Sequence, residues 1–247
     1  MFNFFVTKEN VADGRAKITG ADYNHIANVL RLKTGEEILI SVSGVSHLCR
    51  IENIDGQAVT AEIIKENYQD TALPIKIHLF QGLPKSDKLE LIIQKTVELG
   101  VESIVPVEME RCVVKLDDKK KDGKTARWQA IAESAAKQSK RTNIPKVENV
   151  LSYKEMLEAA KNLDLFILPY ENAKGMQATK EVLSTVKSGM NIGVLIGPEG
   201  GFSDKEIQLA TEIGAKTVSL GKRILRTETA AITAVSMLML YAEMNLN

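Results

Sequence analysis

After Pro74 the chain alternates apolar runs of strand length with amphipathic helices, and an α/β domain with a mostly parallel sheet satisfies that pattern. The runs are Ile75 to Gln81, Ile104 to Val107, Leu165 to Leu168, Ile192 to Ile196 and Thr217 to Leu220. Helices are predicted over Lys88 to Leu99, Thr125 to Lys140, Lys154 to Ala160, Gln177 to Lys187, Asp204 to Ile213 and Glu228 to Met244. Gly100 is placed to end the first of these in a left-handed cap. Up to about Ala72 the rhythm differs. Short alternating stretches (Ala16 to Ile18, Glu37 to Val42, Ser46 to Ile54, Ala58 to Ile64) are broken by Asp13-Gly14 and Asp55-Gly56, which reads as a small β-rich domain. One helix interrupts it, Asp22 to Leu30, with Asp22 as its cap and Ile26, Val29 and Leu30 on a shared face.

A length of 247 residues allows one large domain or two modest ones, and the change of rhythm decides for two. The boundary falls in the polar stretch Glu66 to Pro74, giving a β-rich domain over 1–72 and an α/β domain over 73–247. With 44% hydrophobic and 26% charged residues, the composition excludes disorder and disulfide scaffolds. Cys49 and Cys112 form no CxxC pair, His25, His47 and His78 show no metal-ligand spacing, and no metal is expected. No apolar run approaches the ~20 residues of a membrane span, and Met1 to Asn10 lacks the pattern of an export signal. A cytoplasmic protein without a membrane partner is expected. The last helix is apolar almost all round, so either its own domain covers it fully or a second subunit does; a homodimer through this helix is the favoured reading.

Net charge is zero, with 32 basic and 32 acidic residues, yet the charges are unevenly spread. Arg111 to Lys146 holds eleven basic residues against four acidic ones, an excess able to hold a polyanion through phosphate contacts. Part of it, Lys119 to Lys124, reads equally well as a solvated loop. Arg111, Lys137, Lys140 and Arg141 lie outside that loop.

Two segments carry the chemistry. In the first, the strand Ile192 to Ile196 runs into Gly197-Pro198-Glu199-Gly200-Gly201, after which Ser203 and Glu206 form a capping box for the next helix. The loop thus sits at a strand's carboxyl end, where open α/β sheets bind ligands, and its glycines let backbone approach a ligand closely. It is not a dinucleotide fingerprint, and neither a triphosphate-binding loop nor a GxSxG elbow occurs in the chain. The second segment is Leu220-Gly-Lys-Arg-Ile-Leu-Arg-Thr-Glu-Thr-Ala230, again strand end, glycine, loop and helix start. Thr227 and Glu228 have an ordinary role there, as a cap and as a charge on the helix's positive end. Arg223 and Arg226 have none, which makes them candidates for anion or substrate contact.

Together these motifs resemble the paired motifs of the RsmE-type ribosomal RNA methyltransferases of the SPOUT superfamily. His25 with Val29-Leu30-Arg31, Gln94-Lys95 with Glu98-Leu99-Gly100-Val101, Ala132-Glu133 with Gln138-Ser139 and Arg141, and Ile144-Pro145 follow the same family's pattern in its order. The likeness covers nearly the whole chain; Asn3 departs from it, standing where the family often has arginine. The resemblance implies a PUA-like β-barrel that helps hold RNA, then a SPOUT methyltransferase domain with a trefoil knot that forms the cofactor pocket. It places S-adenosyl-L-methionine among Leu195, Ile196, Gly197, Pro198, Glu199, Gly200, Gly201, Leu220, Gly221, Arg223, Ile224, Leu225, Thr229 and Ala230. It also implies a homodimer that methylates N3 of one uridine in small-subunit ribosomal RNA, either as naked RNA or in an assembled subunit.

That nitrogen carries a weakly acidic proton and normally pairs, so the base must be reached unpaired and deprotonated. On this reading Arg226 orients the uracil or stabilises its anion, while Glu199 or Glu228 takes the proton or fixes that arginine. Arg31, Arg111, Lys137 and Arg141 are the expected RNA contacts. Two other classes stay open at this point: a non-catalytic RNA-binding adaptor, and a related enzyme acting on another RNA position.

Overall fold

The computed structural model describes residues 1–170 and 175–246, and for residues 118–120 the backbone alone. It divides into two compact units, one of 1–72 with 136–144, the other of 73–135 with 145–247.

In the first unit the elements are β1 (Asn3–Phe5), β2 (Val11–Ala12), β3 (Arg15–Thr19), α1 (Gly20–Asn24), β4 (Glu37–Val42), β5 (Val45–Ile54) and β6 (Ala58–Gln69). They form a six-stranded sheet in the order β1-β4-β5-β6-β3-β2, antiparallel except where β1 lies parallel to β4. Strict alternation in β3 sends Ala16 and Ile18 inward and Arg15 and Lys17 outward. Phe4, Ile18, Ile26, Ile38, Ile40, Cys49, Ile51 and Val59 make the core, and burial pushes the Cys49 thiol up to about 12.

Three expectations need correction here. The helix expected over Asp22 to Leu30 is α1 followed by a π-helical turn, His25–Leu30, which ends on Arg31 in the left-handed region at φ 54°. Each π turn widens the coil, so Val29 rotates off the core face and is 61% exposed. Asp22 caps nothing; its carboxylate takes the Lys137 ammonium at 2.7 Å. The stretch beginning at Glu66, expected as linker, continues β6 as far as Gln69, which pairs with Ser46.

Asn3 is buried. Its amide donates to the Arg141 carbonyl (2.9 Å) and accepts from the Ser41 hydroxyl (3.1 Å), which holds the 136–144 segment against β1 and β4. Asn3 is therefore a packing device. Asn3→Ala is expected to lower unfolding free energy by about 1–3 kcal/mol, the range for orphaning buried partners, and Asn3→Asp by more because it turns an acceptor toward a carbonyl. Urea midpoints check this.

In the second unit are β7 (Lys76–Gly82), α2 (Lys88–Glu98), β8 (Ser103–Glu108), α3 (Asp118–Gln138, whose last turn joins the first unit), β9 (Lys146–Val147), β10 (Leu151–Ser152) and α4 (Tyr153–Ala160). These are followed by β11 (Leu165–Pro169), α5 (Met176–Leu183), β12 (Asn191–Ile196), α6 (Asp204–Glu212), β13 (Lys216–Val218) and α7 (Thr227–Asn245). The parallel sheet runs β10-β8-β7-β12-β11-β13, with β9 beside β8. β7 and β12 at its centre are almost wholly buried, as parallel strands covered on both faces must be. Lys121 to Lys124, expected in a loop, belong to α3; the side chains of Lys119 and Lys120 lie outside the described residues. Lys140, at φ 58°, ends that helix two residues earlier than expected.

Two topological facts position the site. From the adjacent strands β7 and β12 the chain leaves in opposite directions, toward β8 and toward β13, which opens a crevice at their carboxyl ends. After β13, at the sheet's edge, it returns to lay α7 over β7, β12 and α2. The buried stripe of α7 is small and apolar (Ala231, Ala234, Val235, Leu238, Ala242), whereas Leu240 and Met244 are exposed.

Candidate active site

The two glycine loops face one another across the crevice. Beyond β12, the Gly201 N–H donates to the Pro198 carbonyl (2.9 Å) and Gly201 takes φ 66°, a tight turn that a side chain would strain. The expected capping box is present: Glu206 N–H to Ser203 Oγ, and Ser203 N–H to Glu206 Oε2. The other oxygen of Glu206 accepts the Glu110 N–H (2.8 Å). The second loop starts on Ser219, whose N–H and carbonyl both engage the Thr179 hydroxyl, and turns at Gly221, φ 112°.

Thr227 joins the loops, and here the structure corrects the sequence reading. The helix cap is Arg226, which makes no side-chain cap bond; Thr227 is the first helical residue. Its hydroxyl donates to the Gly197 carbonyl (2.7 Å) and accepts from the Gln81 amide (2.9 Å). That chain spans β7, the first loop and α7. Thr227→Val keeps the shape and deletes the link, so a loss of about 1–3 kcal/mol is expected by thermal unfolding, with Thr227→Ser close to wild type.

Between the loops lies a cavity of about 620 Å³, within the ligand-pocket range of about 300–1,000 Å³. Its wall includes Ile196, Gly197, Pro198, Glu199, Gly200, Gly201, Leu220, Gly221, Arg223, Ile224, Leu225, Arg226 and Ala230, so most of the cofactor residues expected from sequence converge. Leu195 and Thr229 do not line it. Leu195 points into the core with Phe80, Phe166 and Leu168, and Thr229 sits outside on α7. Sequence reading missed Lys88, Pro169, Tyr170, Phe202 and Ser219 on the wall. Pro169 ends β11 and Tyr170 follows it, a position the ligand rule for open sheets already singles out. Lys88 had a signal too, a cation in the first turn of a helix, where the macrodipole disfavours it.

Charge is divided unequally. Lys88 Nζ lies 3.0 Å from Glu199 Oε1 and 3.7 Å from Glu228 Oε2. Glu199 also accepts the Lys85 N–H (3.0 Å). Burial pulls the Glu199 carboxyl upward, but the Lys88 hydrogen bond and the backbone N–H groups outweigh it and hold the group below the usual carboxylate value. Glu228 Oε2 is buried, near enough to Lys88 to feel its charge and without a hydrogen bond. Arg223 and Arg226 are exposed, and among the described residues neither has a carboxylate within ion-pair distance. The expectation that a glutamate fixes Arg226 is therefore corrected: both carboxylates turn to Lys88.

Of the expected RNA contacts, Arg111 is exposed on the cavity wall and donates to the Gly200 carbonyl (3.2 Å). Arg31 is exposed beyond the π turn, and Lys137 is half-buried on Asp22. Arg141 is 6% exposed with its guanidinium on Asn143, so it has almost no surface to offer a phosphate. Among the described residues no group of three metal-ligating side chains stands together, and no described helix is long and apolar enough to cross a membrane.

The profile of an RNA methyltransferase domain matches residues 71–239, and that of an RNA methyltransferase PUA domain matches 18–64. The chain is 37% identical over 243 residues to the ribosomal RNA small subunit methyltransferase E of Bacillus subtilis (strain 168), covering 96% of this chain and 95% of that one. Among solved structures, it is similar to a ribosomal RNA small subunit methyltransferase E from Neisseria gonorrhoeae bound to S-adenosyl methionine (TM-score 0.82, 34% identity, 97% of each chain). It is also similar to a putative methyltransferase from Legionella pneumophila in complex with the same cofactor (TM-score 0.82, 31% identity, 96% of each chain).

Proposed function

Because the chain belongs to the ribosomal RNA small subunit methyltransferase E family, we propose that it transfers a methyl group from S-adenosyl-L-methionine to N3 of one uridine in small-subunit ribosomal RNA. The observation that carries this reading is the cavity between two glycine loops pinned by the Gln81–Thr227–Gly197 chain. The wall fits the cofactor. A Cβ on Gly200 would stand 2.9 Å from Arg111 Cβ and one on Gly197 would stand 3.3 Å from the Gly201 backbone, so the loop is closed to side chains and offers backbone groups instead. The backbone of Ile196 to Gly201 and of Leu220 to Leu225, with Ala230, would hold it. When bound, S-adenosylmethionine supplies a methyl group already activated on sulfur.

The chain's own residues then have little bond-making to do. The loops hold the donor in line with the incoming nitrogen. Arg226, exposed on the wall and without a carboxylate partner among the described residues, stabilises the uracil oxyanion, which strengthens N3 as an acid and lets its proton pass to solvent. Glu199, already holding Lys88 and the Lys85 N–H, is a weakened base and serves to fix the loops.

The β-rich unit holds the RNA in this proposal, through Arg31 of 1–72 and Lys137 of the 136–144 segment, while Arg111 holds it beside the cavity. Substituting Arg31 and Arg111 by alanine is expected to lower the salt slope of RNA binding by about 1 for each phosphate no longer neutralised. Exposed Leu240 and Met244 support a homodimer through α7, to be read by sedimentation of the purified protein. The return from β13 to α7 past β11 supports a trefoil knot in the domain that begins at residue 73, and a ribosomal substrate supports action in the cytoplasm.

Incubation with the cofactor and small ribosomal subunits lacking base methylation, then digestion and mass spectrometry of the nucleosides, tests the proposal. N3-methyluridine is the expected product; another methylated nucleoside would refute the position, and binding of RNA without methylation would favour an adaptor.

A further inference from the structure

Lys88 begins α2, where the helix's own field opposes a cation, yet its ammonium is held there by two carboxylates from separate parts of the fold. Glu199 comes from the loop after β12 and Glu228 from the first turn of α7. Arg226, two residues before Glu228, is close enough to repel the Lys88 charge and has no carboxylate of its own among the described residues. Both carboxylates are thus assigned to Lys88, although Arg111, Arg223 and Arg226 also stand on the wall.

The pairing is not what the side chains would choose singly. A guanidinium matches a carboxylate with two parallel hydrogen bonds, whereas an ammonium is a compact charge that two carboxylates can share. Were Lys88 uncharged, Glu199 and Glu228 would face one another without a counterion, and Arg226 would be the cation drawn between them. Glu228, with a buried oxygen lacking any hydrogen bond, has the most to gain from that move.

We infer that Lys88 is a positioning residue: by occupying Glu199 and Glu228 it keeps the Arg226 guanidinium free to meet the anion of the substrate base. This rests on the methyl-transfer reading above. Lys88 itself touches neither the reacting nitrogen nor the methyl group in this scheme, so its loss acts through Arg226 and falls on turnover, while the glycine loops keep their hold on the cofactor.

The test compares Lys88→Met, Lys88→Arg and Lys88→Met combined with Glu228→Gln in the full-length protein. Readouts are kcat on unmethylated small subunits, cofactor affinity by calorimetry, and the Arg226 Nε–H resonance in the protein without RNA. Lys88→Met is expected to lower kcat at least about tenfold, short of the roughly hundredfold or more from deleting an oxyanion donor, with cofactor Kd little changed. Its Arg226 resonance should show the slowed solvent exchange of a paired guanidinium. Lys88→Arg should keep most of the activity, and adding Glu228→Gln should restore much of what Lys88→Met loses, an outcome a merely structural staple would not give. Wild-type kcat in Lys88→Met, an unchanged Arg226 resonance, or a double variant as slow as the single one would each overturn the inference. Lys88→Gln is read identically should the methionine variant fail to fold. If the wild-type protein makes no methyluridine, the methyl-transfer reading fails, while the resonance comparison still decides what Lys88 does.

Discussion

Arg226→Ala is expected to cut kcat by about 10²–10³, the usual consequence of removing one preorganised donor to a developing anion, with cofactor affinity nearly intact. The reason lies in where the side chain stands. Arg226 is exposed on the cavity wall and makes no cap bond, so its removal leaves no buried partner orphaned and no helix undone. Arg226→Lys keeps the charge but loses the planar donor pair, and should recover only part of the rate. Single-turnover kinetics with saturating cofactor isolates the step. A variant that loses cofactor affinity in proportion to rate would assign Arg226 to cofactor binding.

The second large effect is expected at Gly82, the last residue of β7. Its backbone is outside the left-handed region, so any strain from a side chain is steric. A Cβ there would lie 2.6 Å from Met109 Sδ, 2.7 Å from Pro198 Cδ and 2.8 Å from Pro198 N. The Met109 thioether can swing aside, but Pro198 is the backbone of the cofactor loop and must move. Gly82→Ala should therefore cost about 1–3 kcal/mol of stability. For a chain of this size, that corresponds to a melting temperature lower by roughly 2–12 °C. Cofactor binding should weaken at least about tenfold, equivalent to about 1.4 kcal/mol. Gly123→Ala in α3, where a Cβ meets nothing within 4 Å, is the control and should leave both unchanged or slightly raise stability.

What the sequence disclosed, and what it concealed, follows the range over which each feature is determined. Ser203 with Glu206, Gly100 after α2 and the five main strands of the sheet depend on neighbours a few residues away, and the structure has them where periodicity and capping put them, to within a few residues. Most of the cavity wall was also legible, because both glycine loops announce strand ends locally. Lys88 begins α2 and Tyr170 follows β11; each carried a local hint, but only the order of the sheet brings them to the same wall, and no local pattern encodes that order. Thr227 looked like a cap because its type and position fit one. The carbonyl it serves belongs to Gly197, thirty residues earlier. Arg141 was misread for a related reason: a run of basic residues looks like surface until Asn3 and Ser41 are known to hold its backbone.

The 136–144 segment gives the molecule a property its two-part description conceals. The carbonyl of Arg141 is sealed by residues near the amino terminus, while the residues on either side of the segment belong to the other unit. Neither unit is a continuous stretch of sequence, and the chain passes between them three times. A truncation after residue 72 would leave Asn3 and Ser41 without the Arg141 carbonyl, and the remainder would carry Arg141 without its shelter. Excision at residue 72 therefore does not lift the β-rich unit out whole.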